Sequence, residues 1–431
     1  MSAISPTLAI NEAVRLRQAR GERVVHLGFG EAGLPVHPLL REALERSSGA
    51  NAYGAVAGSA ALRSSVAAYY ARRGLETEPE QVLAGPGSKA LLYAVLTALG
   101  GDLVLPRPAW VSYEPQARLA GKQVLRLDIP AEAGGVPDPA LLGDGVSLAR
   151  KRGLDPRILL LTHPDNPTGT FADADLLESV LRVARECGLQ VVSDEIYAEL
   201  AYAPSDFVSA ARIDPEVVLT GGLSKSHALG GWRVGVLRAP ANDVGRRLLE
   251  NVKSVGSEVW SCLAAPIDAA AVVAYDEPPE LVEFVGAART LHRVVGRAAF
   301  DVVAGAGLAC RPPTAAFYLY PDFVPLREQL AERGIATSAA LAEHLLNEFA
   351  VAVLPGSAFG DDTALTVRMA TSLLYGESEP ERWESLSAGT EAAEHPRVGF
   401  ALETLGDALR TLGEGHPVSP RADSQSRTVA K

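Results

Sequence analysis

The sequence predicts an α/β protein: a mainly parallel sheet covered by helices on both faces, followed by a smaller α+β unit. Three observations carry this. Strand-like and helical runs alternate from about residue 81 to residue 237, the pattern of consecutive strand–helix–strand crossovers. Residues 158–162, with leucine at 159, 160 and 161, form the continuous apolar run expected of a strand buried on both faces. After a long helical run at 281–303 the rhythm changes to short strands mixed with helices.

Taken in order, residues 11–20 read as a short helix or arm leading into VVHLGFG. The stretch 49–58, GANAYGAVAG, is a loop on turn chemistry, and 60–73 has helical spacing. Strands follow at 81–84, 102–105, 123–127, 158–162, 189–193, 217–220 and 233–237, with helices at 88–99, 113–120 and 174–187. Beyond the long helix, short strands are expected at 316–319, 352–354 and 365–369. The expected division is an arm with part of the small unit at 1–45, a large unit at 46–290 and the rest of the small unit at 291–415. Residues 376–398 are polar and weakly periodic, which reads as an insertion or mobile loop, and 416–431 as a disordered tail.

Hydrophobic residues make up 47% of the 431 and charged residues 21%, so a large core is available and general disorder is excluded. The net charge of −12 argues against nucleic-acid or anionic-membrane binding, but not against a small basic pocket. Cys187, Cys262 and Cys310 are far apart and odd in number, which argues against a disulfide scaffold or a zinc ribbon, and the eight histidines show no metal spacing. Apolar runs are strand-sized and the first residues lack the pattern of a secretory leader. The expectation is a reduced, cytoplasmic protein.

Ligands of such folds sit beyond the carboxyl ends of the strands, and four loops there carry chemistry. Lysine occurs only six times, and Lys225 lies in the glycine-rich loop GGLSKSHALGGWRVG. A lysine in a closed site has a depressed pKa and forms imines with aldehydes; the alternative is a surface lysine. VVSDEIYAEL ends a buried strand on Asp194, with Tyr197 three residues on. The carboxylate would need a cationic partner there, unless it merely caps a helix. HPDNPTGTF fixes Asn166 in a tight turn at a strand end, or is an ordinary Asn-Pro turn. AGPGSKAL is a strand, a glycine turn and a helix N-terminus, a geometry that binds phosphate, although the spacing matches neither a P-loop nor a dinucleotide fingerprint.

Together, NPTG, SDEIY and the lysine loop with Arg233 eight residues after Lys225 make the chain resemble the fold-type I aminotransferases of the class I/II, aspartate aminotransferase superfamily, from about Val24 to Thr371. The resemblance implies a large domain with a mainly parallel seven-stranded sheet, a smaller α+β domain, and pyridoxal 5′-phosphate as cofactor. It implies that Lys225 forms the internal aldimine and then moves the proton of transamination. Asp194 would pair with the ring N–H⁺, while Tyr197 and Asn166 bond the ring oxygen. Trp110 would stack on the ring. Gly87, Ser88, Lys89, Ser224 and Arg233 would hold the phosphate. Tyr53 would reach the phosphate of a neighbouring subunit in a homodimer. Arg368, with Gly30 and Asn166, would clamp the substrate α-carboxylate.

The activity implied is exchange of an amino group between an α-amino acid and a 2-oxo acid through pyridoxamine phosphate. The competing reading is a lyase or synthase on the same scaffold, making a γ-elimination or a carbon–carbon bond through a quinonoid, on S-adenosylmethionine for example. Three departures from the family pattern bear on substrate: Gly30-Glu31-Ala32 in place of Gly-x-Pro, Gly222 where Ser or Thr is usual, and the 376–398 segment. They put ordinary aspartate transamination in doubt, and no residue is assigned to a side-chain carboxylate.

Overall fold

The computed structural model describes residues 6–414; the expected tail at 416–431 lies outside them. Seven strands form the large sheet. In spatial order they are Val82–Pro86, Val234–Arg238, Val218–Gly222, Gln190–Asp194, Pro156–Thr162, Asp102–Arg107 and Val124–Asp128. Val234–Arg238 runs antiparallel to both neighbours and the pairings across the other five strands are parallel. The strands anticipated from sequence are these seven, each within two residues of its expected limits.

The apolar runs follow from burial on two faces. Leu159 and Leu161 enter one core, with Val104, Val191 and Leu219. Ile158 and Leu160 point the other way, with Leu103, Leu105 and Val192. A strand alternates its side chains between faces, so covering both faces removes the polar alternation. Helices Pro38–Ser47, Ala60–Arg72 and Ala265–Asp276 pack together against the first core. Ser88–Ala98 and Asp243–Val259 pack together over the second.

The small unit holds a third core. Its strands are Val25–His26, paired parallel to Val351–Ala352, and an antiparallel set in which Val367–Ala370 lies between Leu354–Pro355 and Tyr318–Leu319. Helix Pro279–Gly305 belongs to both units: Leu281 is in the first large core, and Phe284 through Val303 are in the small one. The division expected at residue 290 therefore falls inside this helix. The division expected at 45 falls inside Pro38–Ser47, whose Leu40 sits in the large unit while Leu34 sits in the small one. Among the described residues no helix is long and apolar enough to cross a membrane.

The segment 376–398, expected as a loop, is mostly helical. Ser378 caps helix Glu379–Ser387 in a reciprocal box with Glu381. Leu386, Ala392 and Val398 enter the small core, and Trp383 packs edge-on against Phe284. Its charges hid a short apolar stripe. Leu386→Ala is expected to destabilise the protein by about 2–5 kcal/mol, measured by urea denaturation. A change near zero would show that the segment is not part of the core.

Candidate active site

The carboxyl ends of the central strands bring the chemistry to one edge. Thr162 and Asp194 end adjacent strands as register partners. Asp194 is buried, and its Oδ2 accepts from the Tyr113 hydroxyl at 3.0 Å, which in turn accepts from Thr162 Oγ1 at 3.0 Å. Its Oδ1 is buried with no partner. Burial pushes the carboxyl up to about 6, against the pull of the Tyr113 hydrogen bond. A buried acceptor with no donor is costly, and a cationic N–H placed at Oδ1 would satisfy it and restore the charged form.

Lys225 follows strand Val218–Gly222, and its Nζ donates to the Gly30 carbonyl at 2.5 Å. Burial lowers its ammonium to about 8, with Arg368, Arg233 and Lys89 pushing the same way and Glu31 opposing.

One end of the cavity is built around missing side chains. Gly87 has φ 88°, and a Cβ there would lie 2.3 Å from Arg233 Nη2. Helix Ser88–Ala98 starts at this glycine, so the N–H groups of Ser88 and Lys89 lie in its first turn, where no intrahelical acceptor exists. Gly235 opposes Gly222 in the sheet, and a Cβ on Gly235 would lie 2.3 Å from Ser88 N. The departure at Gly222 has a local cause as well: a Cβ there would meet the Val234 carbonyl at 2.3 Å. Trp110 stands edge-on to Tyr113 with centroids 5.1 Å apart, and Lys89 Nζ lies 5.0 Å from the Trp110 ring centre.

The opposite wall comes from the small unit. Arg368 is 0% exposed, and its Nη2 donates to the Gly28 carbonyl at 2.7 Å. Nη1 makes a long 3.4 Å contact to Asn166 Oδ1, and Nε has no partner. Burial lowers its pKa from the ordinary value, with Tyr318 and Tyr197 opposing. Gly30 has to be small, since a Cβ would lie 2.5 Å from the Tyr318 hydroxyl and 3.3 Å from Arg368 Nη1. The hydroxyls of Tyr197 and Tyr318 are 2.8 Å apart, and Asn166 Nδ2 reaches Tyr197 at 3.5 Å.

These walls enclose a cavity of about 580 Å³. Gly30, Ser88, Lys89, Trp110, Asn166, Asp194, Tyr197, Ser224, Lys225, Arg233 and Arg368, all singled out from sequence, line it together. Gly87 packs behind Arg233, and Tyr53 is 89% exposed and outside the lining. Sequence reasoning missed Tyr113, Thr162, Tyr318 and the N-terminal helix Pro6–Ala19, which contributes Thr7, Asn11 and Arg15. Tyr113 opens helix Tyr113–Leu119 after the turn that its N–H closes on the Trp110 carbonyl, and nothing in the sequence separates it from a core aromatic. Tyr318 sits inside an apolar run, where nothing separates it from a core aromatic.

A reactive amine, an unpartnered carboxylate oxygen and an anion cradle at one edge of this sheet define a pyridoxal-phosphate enzyme of the α/β type. The residues fit that cofactor: Asp194 Oδ1 lacks the cationic N–H that a pyridinium would supply, and the N-terminus of helix Ser88–Ala98 beside Arg233 has the donors and charge that would hold a phosphate. The family described as aminotransferase class I and II matches residues 22–372, and the chain belongs to it. It is 32% identical over 392 residues to an aspartate aminotransferase of Geobacillus stearothermophilus, covering 88% of this chain and 95% of that one. It is 31% identical over 378 residues to an aspartate/prephenate aminotransferase of Thermus thermophilus, covering 85% and 92%. The solved structure of the Thermus thermophilus aspartate aminotransferase with maleate matches with a TM-score of 0.76 at 28% identity, covering 91% of this chain and 97% of that one. The protein is a pyridoxal-phosphate-dependent aminotransferase of fold type I.

Only a neutral amine attacks an aldehyde. Because Lys225 is lowered to about 8 from 10.5, uptake of the cofactor by apoprotein is expected to accelerate with rising pH and level off just above 8. Visible absorbance after mixing reads this rate. A rise that continues to pH 10 would show an ordinary lysine instead.

Proposed function

We propose that the enzyme exchanges amino groups between acidic amino acids and dicarboxylic 2-oxo acids. One observation carries this. Five cationic side chains line the cavity, namely Arg15, Lys89, Lys225, Arg233 and Arg368, and none of them forms an ion pair among the described residues. One phosphate and one α-carboxylate account for Arg233 and Arg368. Lys89 and Arg15 remain for a second carboxylate. The printed names of the relatives, which act on aspartate, support the same reading.

Pyridoxal phosphate, when bound, supplies the aldehyde and the electron-withdrawing ring. Asp194 Oδ1 accepts the ring N–H and, so paired, stays ionised. Trp110, in the cavity wall, would cover one face of the ring and exclude water from it. The N–H groups of Ser88 and Lys89, with Ser224 and Arg233, hold the phosphate, while Gly87 keeps that turn open. Tyr197 and Asn166 address the ring oxygen. Arg368 binds the α-carboxylate with two N–H groups, beside Gly30 and Asn166. Lys225, once free, would take the substrate Cα proton at Nζ and deliver it to the former aldehyde carbon on the other side of the nitrogen. A pKa near 8 suits both halves of that transfer.

We further propose a homodimer in which the exposed Tyr53 reaches a neighbouring phosphate, and a cytoplasmic location, where Cys187, Cys262 and Cys310 stay reduced as the unpaired thiols suggest. Light scattering of the holoenzyme is expected to give twice the chain mass. A monomer that is fully active would remove the role of Tyr53.

The decisive assay supplies L-aspartate and 2-oxoglutarate and follows oxaloacetate. Arg15→Ala and Lys89→Ala are each expected to lower kcat/KM for aspartate more than for alanine. Arg368→Lys loses the two-pronged grip and is expected to raise KM for every amino acid by about 10- to 100-fold, from ~1.5–3 kcal/mol per charge-assisted hydrogen bond. Turnover of apolar amino acids alone would sink the acidic reading. Substrate breakdown without a 2-oxo acceptor would favour a lyase.

A further inference from the structure

We propose that Tyr318 is a positioning residue for the cofactor: its hydroxyl donates to the hydroxyl oxygen of Tyr197 and leaves the Tyr197 proton free to point at the ring oxygen of pyridoxal phosphate. The proposal deepens the reading above and rests on Tyr197 addressing that oxygen.

The argument is a proton inventory. A tyrosine hydroxyl has one proton to give and can accept on its lone pairs. Tyr197 is buried, and its hydroxyl has two protein neighbours: Tyr318 at 2.8 Å, and Asn166 Nδ2 at 3.5 Å, which can only donate. Between the two phenols either oxygen could be the donor. If Tyr197 donates, its proton is spent on Tyr318 and the ring oxygen receives nothing from it. If Tyr318 donates, Tyr197 accepts from both neighbours and its proton is left for the cavity. The second arrangement is the one that lets Tyr197 act.

Two features of Tyr318 favour it as the donor. The Arg368 guanidinium carbon lies 5.0 Å from the centre of its ring. A cation over an aromatic face draws electron density from the phenol and strengthens its O–H as a donor. Tyr197 is also the sole hydrogen-bond partner of the Tyr318 hydroxyl among the described residues. Tyr318 is 1% exposed and held by strand pairing with Ala370, two residues after Arg368. Gly30 leaves the room that the hydroxyl occupies, since a Cβ there would lie 2.5 Å from it. The hydroxyl is thus delivered to Tyr197 by the same strand pair that carries the carboxylate clamp. Hydrogen bonds in series strengthen one another, so a Tyr197 that accepts from Tyr318 is the better donor to an oxygen bearing negative charge.

The test is a pH titration of visible absorbance in the cofactor-loaded protein, for wild type, Tyr318→Phe, Tyr197→Phe and the double variant. The titration reports how well the charged ring oxygen is stabilised. Tyr318→Phe removes one oxygen from a packed ring, and circular dichroism verifies the fold. Its midpoint is expected to rise by roughly half a pH unit to one unit, the size of one hydrogen bond. Tyr197→Phe should rise further, and the double variant should match Tyr197→Phe alone, because Tyr318 acts only through Tyr197. An unchanged midpoint in Tyr318→Phe overturns the proposal. So does a Tyr318→Phe shift that persists in the Tyr197→Phe background, which would mean that Tyr318 acts by another route. No shift in Tyr197→Phe would instead remove the role assigned to Tyr197 itself, and is distinguished by that single variant.

Discussion

The site is organised by buried charge that the protein does not neutralise. Arg368 is wholly buried without a carboxylate, and Asp194 keeps an oxygen without a donor. Either alone is expensive in a folded chain. The two belong to different units, one to a small-unit strand and the other to the end of a large-sheet strand. The protein holds them apart across a cavity instead of letting them pair. A molecule that carries a ring cation on one side and a carboxylate on the other meets both needs at once. On the function proposed above, an amino acid held on pyridoxal phosphate would be such a molecule, and the cost of burying these groups would reappear as selectivity for it.

The glycines serve the same end. Gly87, Gly222 and Gly235 form a stack in which backbone touches backbone. It draws the first turn of helix Ser88–Ala98 against the antiparallel strand that follows Arg233. Residue 222 is glycine because the strand partner lies too close for a side chain, a Cβ there meeting the Val234 carbonyl at 2.3 Å. Its lack of a hydroxyl is thus a packing requirement of this sheet.

Much of this was legible in the sequence, for physical reasons. Strands buried on both faces must be apolar throughout, which is why the run at 158–162 declares itself. Ligand-binding loops must follow strand ends, so motifs such as HPDNPTGTF and VVSDEIYAEL are read with their position attached. What stayed hidden depends on which way a side chain faces across long sequence separations. Arg15 is one of several charges on an amphipathic helix, and only the tertiary fold turns it toward the cavity. Tyr318 looks like core until its hydroxyl is seen against Tyr197. The helix at Glu379–Ser387 was obscured because Leu386 and Trp383 are outnumbered by glutamates.

Helix Pro279–Gly305 has one end in each core, and the Tyr197–Tyr318 and Lys225–Gly30 hydrogen bonds join the two units beside it. On the function proposed above, the bound substrate would add a further link, its α-carboxylate held between Arg368 of the small unit and Asn166 of the large one. The helix is a permanent tie and the substrate a removable one. With ligand bound, separating the cores also requires expelling it. Substrate occupancy should therefore raise the cost of parting the two units by the free energy of binding.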